Sequence, residues 1–196
     1  MGLQEVERRV GRSRFRDQSR VAAEAAGLSA VYGPTRDHGW FGQMGNALLA
    51  HREPTEVEFL DLPGPGERRG AITACVESAI GPVRVVVTHL LSSSDGNRAQ
   101  AVEQLRFLLD HAVAPGGPLV VMGDLNLRDE HAEPVLADFG LTVAATGPTF
   151  PAADPRIRLD WIAVADLRLG VAGVGAAGPS DHLPVFAELS LVPADS

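Results

Sequence analysis

A chain of 196 residues with 45% hydrophobic content and a net charge of −8 is long enough to form one domain around a sizeable core. Its pI of about 5.2 argues against a large generic affinity for nucleic-acid backbone, which needs clustered cations; all 17 basic residues are Arg. No apolar run reaches the roughly 18 residues of a membrane span, no apolar core follows the Arg- and Glu-rich start, Val6 stands where a myristoylation signal needs Ser or Thr, and a lone Cys75 excludes an internal disulfide and any Cys-based zinc site.

In chain order, residues 14–26 have helical character, with Phe15, Val21, Ala22, Ala25 and Ala26 available for an inner face and Gly27 as a stop. Residues 28–32 form a short strand, and residues 33–45, punctuated by Pro34, Gly39 and Gly42, read as a loop. Residues 46–51 and 56–60 are strands around a turn at Glu53-Pro54. After the break Pro63-Gly64-Pro65-Gly66, residues 71–77 and 83–89 make a hairpin that turns at Ile80-Gly81-Pro82, with Cys75 buried in its first arm. Residues 97–111 are the best helix: Ala101, Leu105, Leu108 and Leu109 form its apolar stripe, and Asp95 or Asn97 can cap it. Then come a buried strand at 119–122, a short helix at 133–139 stopped by Gly140, and strands at 158–164 and 185–191. The many hairpins favour a sandwich with antiparallel sheet over a doubly wound parallel sheet.

Two polar clusters sit at strand ends. Gly123-Asp124-Leu125-Asn126 closes the run Leu119–Met122, and Ser180-Asp181-His182-Leu183-Pro184 opens the run Val185–Leu191. Asp124 and Asn126 are separated by one residue, so on extended backbone they face the same side. Asp160 lies within an apolar strand, where a buried carboxylate needs a partner; His182 can supply it. Phosphodiester hydrolysis needs charge neutralisation, an activated water and help for the leaving oxygen, and these groups could supply them.

Taken singly these signals are weak; Glu5, for example, reads as a solvated glutamate. In order they are strong. Gly2-Leu3-Gln4-Glu5-Val6, Thr88-His89-Leu90, Gly123-Asp124-Leu125-Asn126, Arg158-Leu159-Asp160-Trp161-Ile162 and Ser180-Asp181-His182-Leu183-Pro184, with a weaker match at Met44–Leu49, resemble the motifs of the endonuclease/exonuclease/phosphatase superfamily, the fold of pancreatic-type deoxyribonuclease. The resemblance covers nearly the whole chain. It implies a four-layered α/β sandwich, with two mixed, largely antiparallel sheets packed face to face between helices, over residues 1–192, with a disordered tail at 193–196.

It also implies roles. Glu5, with Asp181 as a second carboxylate, would hold Mg²⁺ or Mn²⁺. Asp124 would orient or deprotonate the attacking water, and Asn126 would donate a hydrogen bond to the phosphate. Asp160 would orient His182 and raise its pKa. His89 would contact the phosphate from the opposite side and act as general acid. In the deoxyribonuclease branch a Glu supports this His; the nearest position here is Arg69, which cannot accept a hydrogen bond and is expected to grip a substrate phosphate. His38, His51, His111 and His131 match no motif and are expected at the surface or in loops. Trp40-Phe41 could line a substrate mouth or cover the core.

The superfamily's first strand, which carries a supporting Asn, has no counterpart ahead of Gly2. A start placed too late in the strand order is expected, with a shortened variant as the other reading. A cytoplasmic location is expected from the sequence as it stands; a leader or anchor upstream would lie outside it. The function expected is a metal-dependent phosphodiesterase or phosphatase. Aromatic residues, at 5%, are too scarce for much base stacking, so a small phosphoester, nucleotide or phospholipid head group is favoured. The runner-up is a Mg²⁺-dependent nuclease on DNA or RNA, and the alternative from another class is an inactive remnant serving as a binding module.

Overall fold

The computed structural model describes residues 1–37, 39–92 and 97–192; His38, Asp95 and the expected tail lie outside them. The elements are β1 (Gly2–Arg8), α1 (Gln18–Ala26), β2 (Ser29–Asp37), β3 (Gln43–Ala50), β4 (Thr55–Asp61), β5 (Gly70–Ser78), β6 (Gly81–His89), α2 (Arg98–Val113), β7 (Leu119–Asp124), α3 (Asp129–Asp138), β8 (Thr142–Val143), β9 (Asp160–Ala165), β10 (Leu167–Val174) and β11 (Val185–Leu191).

The central strands read as continuous apolar runs because both of their faces are covered. Val83, Val85 and Val87 of β6, Val120 of β7 and Ile162 and Val164 of β9 point into one buried cluster with Leu48 and Ile72. Their alternate neighbours Val86, Leu119, Val121, Trp161 and Ala163 point into another, against Leu105, Leu108 and Leu109 of α2 and Val135 and Leu136 of α3. A six-stranded sheet of order β4-β5-β6-β7-β9-β8 results. β6 and β7 pair in parallel through the α2 crossover, and the other ladders in this sheet are antiparallel. Its second face meets a three-stranded sheet, β1-β3-β2, and the β10-β11 hairpin. α1 covers the outside of the three-stranded sheet, where Ala23 packs with Val6, Ala47 and Leu49. The α/β sandwich is thus present in four layers, with its second sheet in two pieces.

Local departures have physical causes. The segment read as a loop at 33–45 extends both β2 and β3, because the hairpin ladder runs from Ser29–Ala50 to Asp37–Gln43 despite Pro34. α1 starts only at Gln18, capped by the Asp17 carboxylate, which accepts from the Arg20 N–H at 3.1 Å; Phe15 and Val21 are exposed, and Ser19 and Ala23 form the buried face. Asn97 occupies the α2 cap position without a side-chain capping bond. α3 begins at Asp129, four residues earlier than its apolar pattern indicates, with Asp129 and Glu130 in its first turn where acidic side chains favour the helix dipole. β10 has no clean two-residue alternation, because its register with β11 shifts between Leu169 and Ala172 and Gly170 and Gly173 interrupt the apolar run. Cys75 is half-buried rather than buried.

Gly123 is the tightest point of the sheet. Its φ is +145°, and a Cβ there would lie 2.0 Å from the Thr88 carbonyl oxygen. Gly123→Ala is expected to cost about 2 kcal/mol or more, read as a loss of soluble protein or a fall in Tm. A variant as stable as the parent would show that β6 and β7 can separate there at no cost.

Candidate active site

Strand register assembles the site. His89 lies opposite Asp124 in the β6–β7 ladder, and Asp124 lies opposite Asp160 in the β7–β9 ladder. Three titratable residues therefore share one rung, at the strand spacing of about 4.8 Å, on the face turned toward the facing sheets. Gly123 lets β7 approach Thr88 closely enough for this.

Asp124 is buried. Its Oδ1 accepts the Asn126 N–H at 2.8 Å, and its Oδ2 lies 3.3 Å from His89 Nε2 and 4.0 Å from His182 Nε2. One carboxylate oxygen thus faces both imidazoles. Burial, reinforced by the Asp160 charge, pushes the Asp124 carboxyl up to about 7. Asn126, at a left-handed φ of 51°, donates through Nδ2 to the Leu90 carbonyl at 3.1 Å; an amide nitrogen carries a second hydrogen that can serve a ligand.

His182 Nδ1 lies 2.7 Å from Asp160 Oδ2. That hydrogen bond raises the imidazole to about 9, against the opposing effect of burial, with further help from the charges of Asp160, Asp124 and Asp181. The loop carrying it is strapped down by a bracket the sequence reading passed over. Thr149 O accepts the Leu183 N–H at 2.9 Å, and the Ala152 N–H donates to Asp181 O at 2.7 Å. Thr149 Oγ1 accepts from the Leu159 and Asp160 N–H groups. The Phe150 ring lies 4.9 Å from the His182 ring. Arg158 stacks over Trp161 at 3.9 Å and pairs with Asp129 at 3.0 Å and with Glu133, tying the start of α3 to the loop before β9.

His89 differs. Burial, then the nearby Arg69 charge, push its imidazole down to about 3, so the expected role as an imidazolium acid is disfavoured. Arg69 lines the cavity and is also tied to the protein: its Nη1 lies 3.0 Å from His89 Nδ1 and its Nη2 donates to Glu67 Oε2 at 3.0 Å.

Glu5 enters from the facing sheet at a β-bulge between Leu3 and Val6, with φ of 54°. The bulge re-aims its side chain into the cavity, where Oε1 lies 4.0 Å from His89 Nδ1. Asp181 lines the same cavity from its exposed loop. Among the described residues no group of three or more His, Cys, Asp or Glu is placed so that it could hold a metal ion by itself. Glu5 and Asp181 are oxygen donors of the kind that Mg²⁺ takes alongside several waters and substrate oxygens; they do not make a closed structural site.

The cavity, about 760 Å³, is bounded by Glu5, His89, Asp124, Asn126, Asp181 and His182. Arg98, Arg128 and His131 also line it; His131 was expected away from any site, and its place at the start of α3, five residues after Asn126, is the signal that was available. His51 and His111 are exposed, as expected. Trp40 and Phe41 neither cover the core nor line this cavity: they are 99% and 79% exposed, with Trp40 beside Arg9 and Phe15 in a separate groove.

The model of the Endonuclease/Exonuclease/phosphatase family matches residues 1–182. No curated protein sequence matches the chain. Among solved structures, an endonuclease/exonuclease/phosphatase from Beutenbergia cavernae is similar at 24% identity and a TM-score of 0.81, over 97% of this chain and 62% of that one; the chain thus spans less than two thirds of that protein. The human Nocturnin catalytic domain with bound sulfate is similar at 20% identity and a TM-score of 0.72, over 97% and 80% of the two chains. A Bacteroides thetaiotaomicron mannosyl-6-phosphatase is similar at 17% identity and a TM-score of 0.70, over 89% and 81%. The chain belongs to the endonuclease/exonuclease/phosphatase family, whose members are generally hydrolases of phosphoester bonds.

Proposed function

We propose that this protein is a Mg²⁺- or Mn²⁺-dependent phosphoester hydrolase acting on a small phosphodiester or phosphomonoester. The observation that carries the reading is the placing of Asp124 Oδ2 against the Nε2 atoms of both His89 and His182. A carboxylate held near 7 is matched to its task as a general base at neutral pH. Asp124 orients a water and takes its proton as the oxygen attacks phosphorus and the bond to the leaving oxygen breaks. The His182 imidazolium, sustained by Asp160, offsets the charge that accumulates on the phosphoryl group. Asn126 offers its second amide hydrogen to a phosphoryl oxygen. A metal held by Glu5, with Asp181 as a further oxygen donor on the rim, would supply Lewis-acid neutralisation of the phosphate when bound.

The cavity supports a small substrate. Phe150 is the one Phe, Tyr or Trp among the described residues that line it, which offers little surface for base stacking. Arg98 and Arg128, which also line it, favour a second reading: a polyphosphate or a nucleic-acid strand. Bis-(4-nitrophenyl) phosphate, 4-nitrophenyl phosphate and supercoiled plasmid, each with Mg²⁺, separate the two. Turnover of a nitrophenyl ester with the plasmid left intact is the expected result. Plasmid nicking at rates above nitrophenyl ester turnover would replace the small-substrate reading with the nuclease one.

A further inference from the structure

Arg69 immediately precedes β5, and its neighbour Gly70 pairs with His89 across the β5–β6 ladder. That register sets the guanidinium beside the His89 ring, and both residues are buried. The guanidinium has a protein partner on each prong: Nη1 is 3.0 Å from His89 Nδ1, and Nη2 is 3.0 Å from Glu67 Oε2. Glu67 also pairs with Arg36, which holds it in place.

A guanidinium has donors only and stays charged. A ring nitrogen in hydrogen-bond contact with it must therefore offer its lone pair. Among the described residues, the carboxylate that approaches Nδ1 is Glu5, and at 4.0 Å its Oε1 lies outside hydrogen-bond range. The single proton of the neutral ring is then on Nε2, the atom 3.3 Å from Asp124 Oδ2. A carboxylate in the place of Arg69 would do the reverse and draw the proton to Nδ1.

We propose that Arg69 is a positioning residue that locks His89 as the Nε2–H tautomer, making His89 a fixed hydrogen-bond donor to the reacting centre. The tautomer follows from the Arg69–His89 geometry alone; its catalytic consequence rests on the phosphoester reading. His182 and His89 then present different chemistry to one carboxylate. The first is held by an acceptor on Nδ1, and the second by a donor on Nδ1.

The test is a ¹H–¹⁵N correlation spectrum of the imidazole rings in the ¹⁵N-histidine-labelled, EDTA-treated 196-residue chain at pH 7.5, with His89 assigned by its loss in His89→Gln. The expected wild-type pattern is a protonated Nε2 and an unprotonated Nδ1. Arg69→Lys keeps that pattern, and Arg69→Glu moves the proton to Nδ1. In kinetics with Mg²⁺, Arg69→Glu lowers kcat by about 100-fold or more, the effect of losing one transition-state donor, while KM changes less than about threefold; a rise in KM with kcat unchanged would instead mark Arg69 as a phosphate grip and overturn the proposal. A wild-type Nδ1–H signal, or protons on both nitrogens, also overturns it, and needs no variant to fold. The expected spectrum without turnover of any phosphoester would support the tautomer and refute the hydrolase reading.

Discussion

Asp124→Asn is expected to lower kcat by about 10²–10⁴-fold, the range for loss of a positioned general base, with little change in KM. The amide keeps the shape of the carboxylate and can still accept the Asn126 N–H through its oxygen, so the rung of His89, Asp124 and Asp160 should survive. What is lost is the group that takes the water's proton. The pH profile should show this directly. With Asp124 titrating at about 7 and His182 at about 9, wild-type kcat should rise as pH passes 7 and fall as pH passes 9.

The same substitution should stabilise the protein. Burial raises the Asp124 pKa above its unfolded value of 3.8, so the folded state binds more protons than the unfolded state between about 4 and 7. Stability therefore falls as pH rises through that window. Removing the charge should raise Tm at pH 8, in EDTA, by about 2–4 °C, corresponding to about 1 kcal/mol in a protein of this size. This is the expected trade between a strained functional group and the stability of its scaffold.

Asp160→Asn should cost still more, about 10³–10⁴-fold in kcat, because it changes what His182 is and not only where it sits. The 2.7 Å contact to Nδ1 holds the ring with its proton on that nitrogen and is the largest cause of the rise to about 9. An amide can turn its NH₂ toward Nδ1, leaving His182 neutral with a proton on Nε2. His182 gains its partner on folding, so its contribution to stability is complete below the unfolded pKa of 6.5 and is lost as pH rises toward 9. In EDTA, Asp160→Asn should therefore lower Tm at pH 6 more than at pH 9. An equal loss at both values would mean that the pair acts through packing alone.

The chemistry-bearing residues were legible because they lie in short motifs beside apolar runs. Asp124 and Asn126 follow Leu119–Met122, and Asp160 opens Trp161–Ala165, so strand ends could be read before any geometry was known. The rung itself was not legible, since register across β6, β7 and β9 is a long-range property. Nor was the role of Arg69. Its residue type showed what it could not do, accept a hydrogen bond, but only the pairing of Gly70 with His89 shows what it touches. The Thr149–Ala152 bracket escaped for the same reason: its backbone hydrogen bonds, Thr149 with Leu183 and Ala152 with Asp181, leave no mark on side-chain pattern. β2 and β3 were shortened by reading Pro34 as a terminator, although Pro is tolerated in an edge strand, and β2 is the edge of its sheet.

The most direct measurement is the rate of bis-(4-nitrophenyl) phosphate hydrolysis at pH 8, with Mg²⁺ or with EDTA, for the wild-type protein and for Asp124→Asn shown by circular dichroism to be folded. The account predicts wild-type turnover that needs the metal and falls by at least about 100-fold in the variant. Turnover equal in the two proteins, or a folded wild-type protein that hydrolyses no ester with Mg²⁺, would contradict it.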